Sequence, residues 1–218
     1  MTMRWLLAAL LTGLLVFTSG ATQAQDNKAK LVESPWYPLA VGTKWAYKSG
    51  DNKCVYRVAA HEDFGGTLCA KVEMFIDNKL ISYEHISSSE KGVFRNGFQG
   101  AKADVPVQIL ALPFAKDIKP WKVESKALGD GKVTGEFTES EEEIKIGDKT
   151  YKTLKVYGKD MDANGLKFSA TYYFAENFGM VKQVIVVGET TKQETILELE
   201  KYDGIEKKEP VKDKEKDK

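Results

Sequence analysis

Alternation of apolar and polar residues, with a period of two, dominates the middle of this chain and predicts strands. Over residues 67–76, Leu68, Ala70, Val72, Met74 and Ile76 share one face, while Thr67, Lys71 and Glu73 share the other. Over 166–175, Leu166, Phe168, Ala170, Tyr172 and Phe174 alternate with Lys167, Ser169 and Thr171. Over 191–202, Thr195, Leu197 and Leu199 alternate with Glu194, Ile196, Glu198 and Glu200. The run 180–187 is apolar on both faces near its end and reads as a central strand. Turn chemistry separates the runs at Asp51-Asn52, Gly65-Gly66, Asp77-Asn78, Gly129-Asp130-Gly131, Gly147-Asp148, Asn164-Gly165 and Gly188, as short hairpin connections require. No stretch of helical length keeps a period of 3.6. The best helical candidate, Val107–Lys116, is interrupted by Pro113. The pattern predicts an all-β antiparallel meander of about ten or eleven strands, folded as a curled half-barrel or a sandwich.

The two halves echo one another. Pro38…Trp45, then 66–72, then Asp77-Asn78, then Gly92–Arg95 are followed in the same order by Pro113…Trp121, then 151–156, then Asn164-Gly165, then Gly179–Lys182. Either a duplicated meander or the general likeness of any two meanders accounts for this.

The ends have a different character. Arg4 precedes the apolar run Trp5–Phe17 and the small, polar stretch Thr18–Ala24. This is the pattern of a signal peptide over residues 1–24, cut after Ala24 or Ala21. The run is short for a permanent membrane anchor. Residues 25–34 read as a flexible linker and 35–203 as a single β domain. From Gly204 to Lys218 charges of both signs alternate around two aliphatics and one proline, too little apolar area to offset the entropy of ordering. That segment reads as a disordered, charged tail.

Charge narrows the function. The 218 residues carry 32 basic and 32 acidic side chains, so the domain lacks the basic excess of dedicated nucleic-acid binders. After the first 24 residues Arg57 and Arg95 are the sole arginines. An arginine-built phosphate site is therefore hard to assemble. There is no nucleophile elbow, phosphate loop or dinucleotide fingerprint, and neither a cofactor nor a metal site is expected. His61-Glu62-Asp63 is a compact polar triplet, read as a solvated loop rather than a ligand set. Glu139 and Glu141–Glu143 read as a solvated strand face, and Asp160–Gly165 as a hairpin lacking the distal glutamate of a calcium loop.

Cys54 and Cys69 lie in the segment expected to be exported, and their even count favours a disulfide. Their faces disagree: Cys54 goes with Tyr56 and Val58, Cys69 with Lys71 and Glu73. Two small buried hydrophobes are the alternative. The aromatics Trp36, Trp45, Tyr47, Trp121, Tyr172 and Phe174 read first as core. If the sheet curls without closing, Trp45, Tyr47, Trp121 and Tyr172 are the expected lining of an apolar ligand site.

The phrase Tyr37–Tyr47 (YPLAVGTKWAY) resembles the YPLxVGxxWxY opening of a group of uncharacterised exported bacterial all-β proteins. Ala175–Lys182 and Leu112-Pro113…Trp121 extend the likeness over about residues 37–203. The resemblance implies a shared fold and export to the periplasm or beyond, not an activity. Strand number and export also resemble the half-barrels of periplasmic lipoprotein carriers. The leading expectation is thus an exported, non-enzymatic β protein that binds a lipophilic small molecule or an envelope protein. A hydrolase with a site assembled from loops and a structural module of the cell surface are the alternatives.

Overall fold

A computed structural model describes residues 31–128, 131–188 and 191–204; the expected signal peptide and nearly all of the expected tail lie outside them. Twelve strands follow one another: β1 (Lys44–Ser49), β2 (Asn52–Asp63), β3 (Leu68–Ile76), β4 (Lys79–Ser89), β5 (Gly92–Phe98), β6 (Ala101–Ala111), β7 (Trp121–Leu128), β8 (Gly131–Ile146), β9 (Lys149–Ala163), β10 (Leu166–Ala175), β11 (Gly179–Val187) and β12 (Gln193–Asp203). All form one antiparallel sheet in the order β6-β5-β4-β3-β2-β1-β12-β11-β10-β9-β8-β7. The all-β meander is as the alternation predicts, with a strand or two more. One of the strands is β6, whose Val107–Ala111 portion is the segment that reads best as a helix. Its apolar side chains serve an inner wall, with Leu110 fully buried, and not a helix stripe.

The sheet curls until its first and last strands in the sheet order, β6 and β7, lie side by side, giving a nearly closed barrel. The halves that echo in sequence occupy equivalent strands. Trp45 and Trp121 fall on β1 and β7, the stretches 66–72 and 151–156 reach β3 and β9, and Gly92 and Gly179 open β5 and β11. The two places where the halves meet are nevertheless unlike. β1 and β12 join by a regular ladder, Lys44 opposite Asp203 to Lys48 opposite Glu198, with one bulge at Ala46–Tyr47. Side chains join β6 to β7: Trp121 Nε1 donates to the Gln108 carbonyl at 3.0 Å and Ser125 Oγ to the Val105 carbonyl at 2.6 Å. Asp104 Oδ1 accepts from the Lys126 and Val105 amides at 2.7 and 2.8 Å. The bond from Lys126 leads the group of hydrogen bonds that holds this exposed carboxyl below its ordinary range.

Alternation sends one face of each strand into the barrel. Trp45, Tyr47, Val58, Val72, Ile86, Val93, Leu154, Val156 and Phe174 fill it and are almost completely buried. The intervening residues put charge on the outer wall, where Arg57 pairs with Glu73, Lys155 with Glu142 and Lys182 with Glu198. A barrel that spans a bilayer has the reverse pattern, with an apolar band outside. One end is stoppered by the segment before β1. Leu31, Ser34, Tyr37 and Leu39 are buried there, so residues 31–34, which read as part of a linker, pack against the barrel. Asn177 N donates to the Pro35 carbonyl, His61 Nε2 bonds the Leu39 carbonyl, and Ser88 Oγ bonds the Val32 carbonyl.

A candidate site in the barrel lumen

At the end opposite the stopper, the inner faces of β2, β3, β11 and β12 do not meet. They leave a cavity of about 250 Å³ lined by Ser49, Asn52, Cys54, Tyr56, Met74, Ile76, Gln183, Ile185, Thr195 and Leu197. Register produces this wall. Cys54 opposes Ile76 and Tyr56 opposes Met74 on β2–β3, while Gln183 opposes Leu197 and Ile185 opposes Thr195 on β11–β12. Ser49 and Asn52 flank the β1–β2 turn, so the cavity has a polar lip above an apolar wall.

Deeper in, Tyr56 and Gln183 also border a second, smaller void of about 40 Å³, completed by Tyr37, Glu84, Arg95, Ile109, Tyr172, Phe174 and Met180. The two spaces thus share a boundary. The inner void is built around an ion pair that bridges neighbouring strands β4 and β5. Arg95 Nε lies 2.8 Å from Glu84 Oε2 and its Nη2 3.3 Å from Oε1, a two-pronged contact. Burial disfavours the guanidinium cation, but the charge of Glu84, followed by Tyr172, the Glu84 hydrogen bond and Tyr37, outweighs it and holds Arg95 protonated. Burial raises the Tyr37, Tyr56 and Tyr172 phenols, so they stay un-ionised. The floor is therefore rich in hydrogen-bonding groups yet internally neutral. Its volume admits a few water molecules, each needing roughly 10–15 Å³.

The aromatic residues expected to line a ligand site fall in three different places. Trp45 is packed in the wall: its ring stacks on Tyr37 at 5.7 Å and Nε1 donates to the Phe178 carbonyl at 2.6 Å. Tyr47 is equally buried, donating to the Met180 carbonyl at 2.8 Å and meeting Tyr56 edge-on at 5.4 Å. Trp121 closes the β6–β7 seam against Phe137. Tyr172 alone of the four borders one of these two spaces, the inner void.

Sequence reasoning missed Glu84, Arg95 and Gln183. Their signal was present in the strand phase, since each falls on the inward face of its strand. Glu139 was likewise read as solvated, but it follows Phe137 on the inward face of β8 and is half-buried. One of its oxygens, Oε2, accepts from the Ala111 amide at 3.1 Å, and Oε1 is buried without a partner.

The disulfide expectation is corrected. Both cysteines are buried free thiols. In the β2–β3 ladder Cys54 stands opposite Ile76 and Cys69 opposite Glu62. Seven positions along a strand amount to about 23 Å, far beyond the ~7 Å between Cα atoms that a bridge tolerates. Cys54 faces the lumen, and Cys69 lies on the other face of the sheet. Burial pushes each thiol up to about 11, so neither is an activated nucleophile. Intact mass is expected to be unchanged by reductant, with two thiols per chain reacting after unfolding and essentially none before. A 2 Da gain on reduction would contradict this register.

The remaining polar motifs serve the fold. Glu62 Oε1 meets His85 Nε2 at 2.6 Å while Phe64 stacks on the imidazole at 3.7 Å, and Asp63 Oδ1 accepts from the Gly66 amide at 3.0 Å. Asp162 spends a side-chain oxygen on the Gly165 amide of its own hairpin, and Asn164 spends one on the Lys132 amide of β8. Among the described residues no group of three His, Cys, Asp or Glu is arranged to hold a metal ion.

Neither the protein-family models nor the curated proteins contain a match to this chain. Two solved structures are similar. One, from Parabacteroides distasonis ATCC 8503, is assigned as a lipoprotein and matches with 15% identity and a TM-score of 0.44, over 77% of this chain and 98% of that one. The other, from Bacteroides fragilis NCTC 9343, is assigned as an exported protein with a YmcC-like fold and matches with 14% identity and a TM-score of 0.48, over 77% and 98%.

Proposed function

We propose that this protein is an exported, non-enzymatic binder that holds a small lipophilic molecule in the lumen of its barrel. The observation that carries the reading is the cavity of about 250 Å³ walled by Cys54, Met74, Ile76, Ile185 and Leu197. An apolar cavity of ~150 Å³ is enough to take up benzene. This one is larger and suits a chain of roughly six carbons. Export is supported by the Arg4, apolar-run and small-residue order of the first 24 residues. Binding without turnover is supported by the chemistry of the wall. Its thiol is un-ionised, its phenol is un-ionised and Gln183 does not titrate, so no nucleophile faces an acid or base there.

Titration with 1-hexanol tests the reading. The melting temperature of the wild type is expected to rise saturably, because a ligand that binds only the folded state stabilises it in proportion to occupancy. Ile185→Trp fills the wall and is expected to abolish that rise. Overpacking costs about 1–3 kcal/mol, so circular dichroism and a cooperative transition must first show that the variant folds. The same rise in wild type and variant, or none in the wild type, would count against the lumen as the site.

A further inference from the structure

We infer that the lumen selects a ligand with a neutral hydrogen-bonding head, an amide or alcohol on a short apolar chain, and takes it head first. The inference rests on the binding reading above and adds the chemistry and direction of the guest.

The cavity has unlike ends. Its lip carries Ser49 and Asn52, its wall is apolar, and its inner end is formed by Tyr56 and Gln183. Those same two residues border the void that contains Glu84 and Arg95. A chain that entered tail first would set its methyl end against Gln183 and a phenol, with the ion pair behind them. Polar groups facing a hydrocarbon without hydrogen bonds are costly to bury. A polar head placed there meets the Gln183 amide and the Tyr56 phenol.

The charge of the head follows from the ion pair. Both prongs of Arg95 that face Glu84 are satisfied by its carboxylate, at 2.8 and 3.3 Å. Tyr172 borders the same void as this guanidinium and is held un-ionised by burial. The floor therefore has no spare cation to neutralise an anionic head, and no spare anion for a cationic one. An ionised carboxylate would lose its water there without gaining an opposite charge, which is heavily penalised. Amides and alcohols donate and accept at once and lose far less.

The test is calorimetric titration of the purified wild-type protein with hexanamide, 1-hexanol and hexanoate at pH 8, repeated at pH 4 with 1-hexanol and hexanoate. Hexanoate is expected to bind at least tenfold more weakly than the other two at pH 8. At pH 4, just below the ordinary glutamate value of about 4.3, more than half of the acid is un-ionised and its affinity is expected to come within about threefold of 1-hexanol. The alcohol, measured at both pH values, reports any change in the protein itself. Gln183→Leu adds a second readout: removing this amide from the boundary is expected to lower hexanamide affinity several-fold more than any loss of melting temperature accounts for. Equal affinities for all three heads at pH 8 would place the head at the lip and overturn the inference while leaving the lumen reading intact. Tighter binding of hexanoate at pH 8 would also overturn it, because Arg95 would then be recruiting the anion. Binding of none of them would overturn both readings.

Discussion

Arg95→Met is expected to lower the folding free energy by about 3–5 kcal/mol, the cost typical of removing one partner from a buried ion pair. The side chains of Arg95 and Glu84 are 26% and 19% exposed, and both border the small internal void. Methionine has similar bulk, so packing changes little and the loss falls on electrostatics. It strands the Glu84 carboxylate among Tyr37, Tyr56 and Tyr172 with nothing to neutralise it. The double variant Glu84→Leu/Arg95→Met removes both charges, and replacing a whole buried pair by apolar groups is commonly neutral or stabilising. It should therefore recover most of the single variant's loss. Urea midpoints for the wild type, both single variants and the double variant complete the cycle, and the coupling should exceed about 2 kcal/mol. A coupling below 0.5 kcal/mol would mean that water in the void solvates each charge on its own. The floor would then tolerate a charged ligand head as well as a neutral one.

The same cycle bears on what the sequence makes legible. The strands and hairpins were readable because period-two alternation is local: Leu68 to Ile76 and Leu166 to Phe174 define an inward face without knowledge of their neighbours. The correspondence between halves was readable too, since Trp45, Gly92, Trp121 and Gly179 punctuate equivalent strands. Closure was not. Whether a curled sheet brings its ends together depends on twist and stagger accumulated over every strand. Two arginines looked too few for a charged site, yet a single inward-facing arginine suffices once an inward-facing glutamate stands on the next strand. The side chains that make the lumen polar, Glu84, Arg95 and Gln183, sit at positions where alternation predicts apolar residues. Their departure from the pattern was the available signal. The aromatics read first as core, and Trp45 and Tyr47 are core, while Tyr172 borders the inner void. Large rings stabilise a barrel best by filling it, and Trp45 and Tyr47 do so while directing their polar atoms to backbone carbonyls. The empty space was left where the inward residues are of moderate size, Cys54, Ile76, Ile185 and Thr195.

Stability is expected to fall between about pH 4.5 and pH 7, and Glu139 is a principal cause. Burial pushes its carboxyl from 4.5 up to about 7; the hydrogen bond from the Ala111 amide pulls the other way and is outweighed. Its orphaned Oε1 fits a protonated acid better than a carboxylate, because a buried charge lacking full hydrogen bonding is the costlier form. Below about 4.5 both the folded and unfolded chains hold the proton, and the group makes no difference. Between the two values the folded chain keeps a proton that the unfolded chain releases, so each rise in pH favours unfolding. Above about 7 both are ionised and the full penalty is present. A shift of this size corresponds to ~3 kcal/mol, and about 2 kcal/mol is a fair expectation for a half-buried side chain. Glu139→Gln keeps an oxygen for the Ala111 amide and cannot ionise. The difference in stability between variant and wild type, measured by urea denaturation from pH 4 to pH 8.5, cancels the titration of every other group. It should be flat below pH 4.5 and grow in the variant's favour by about 2 kcal/mol by pH 8. A difference that stays constant across the range would mean the carboxylate is solvated. The contact between β8 and the end of β6 would then be open to water on the lumen side.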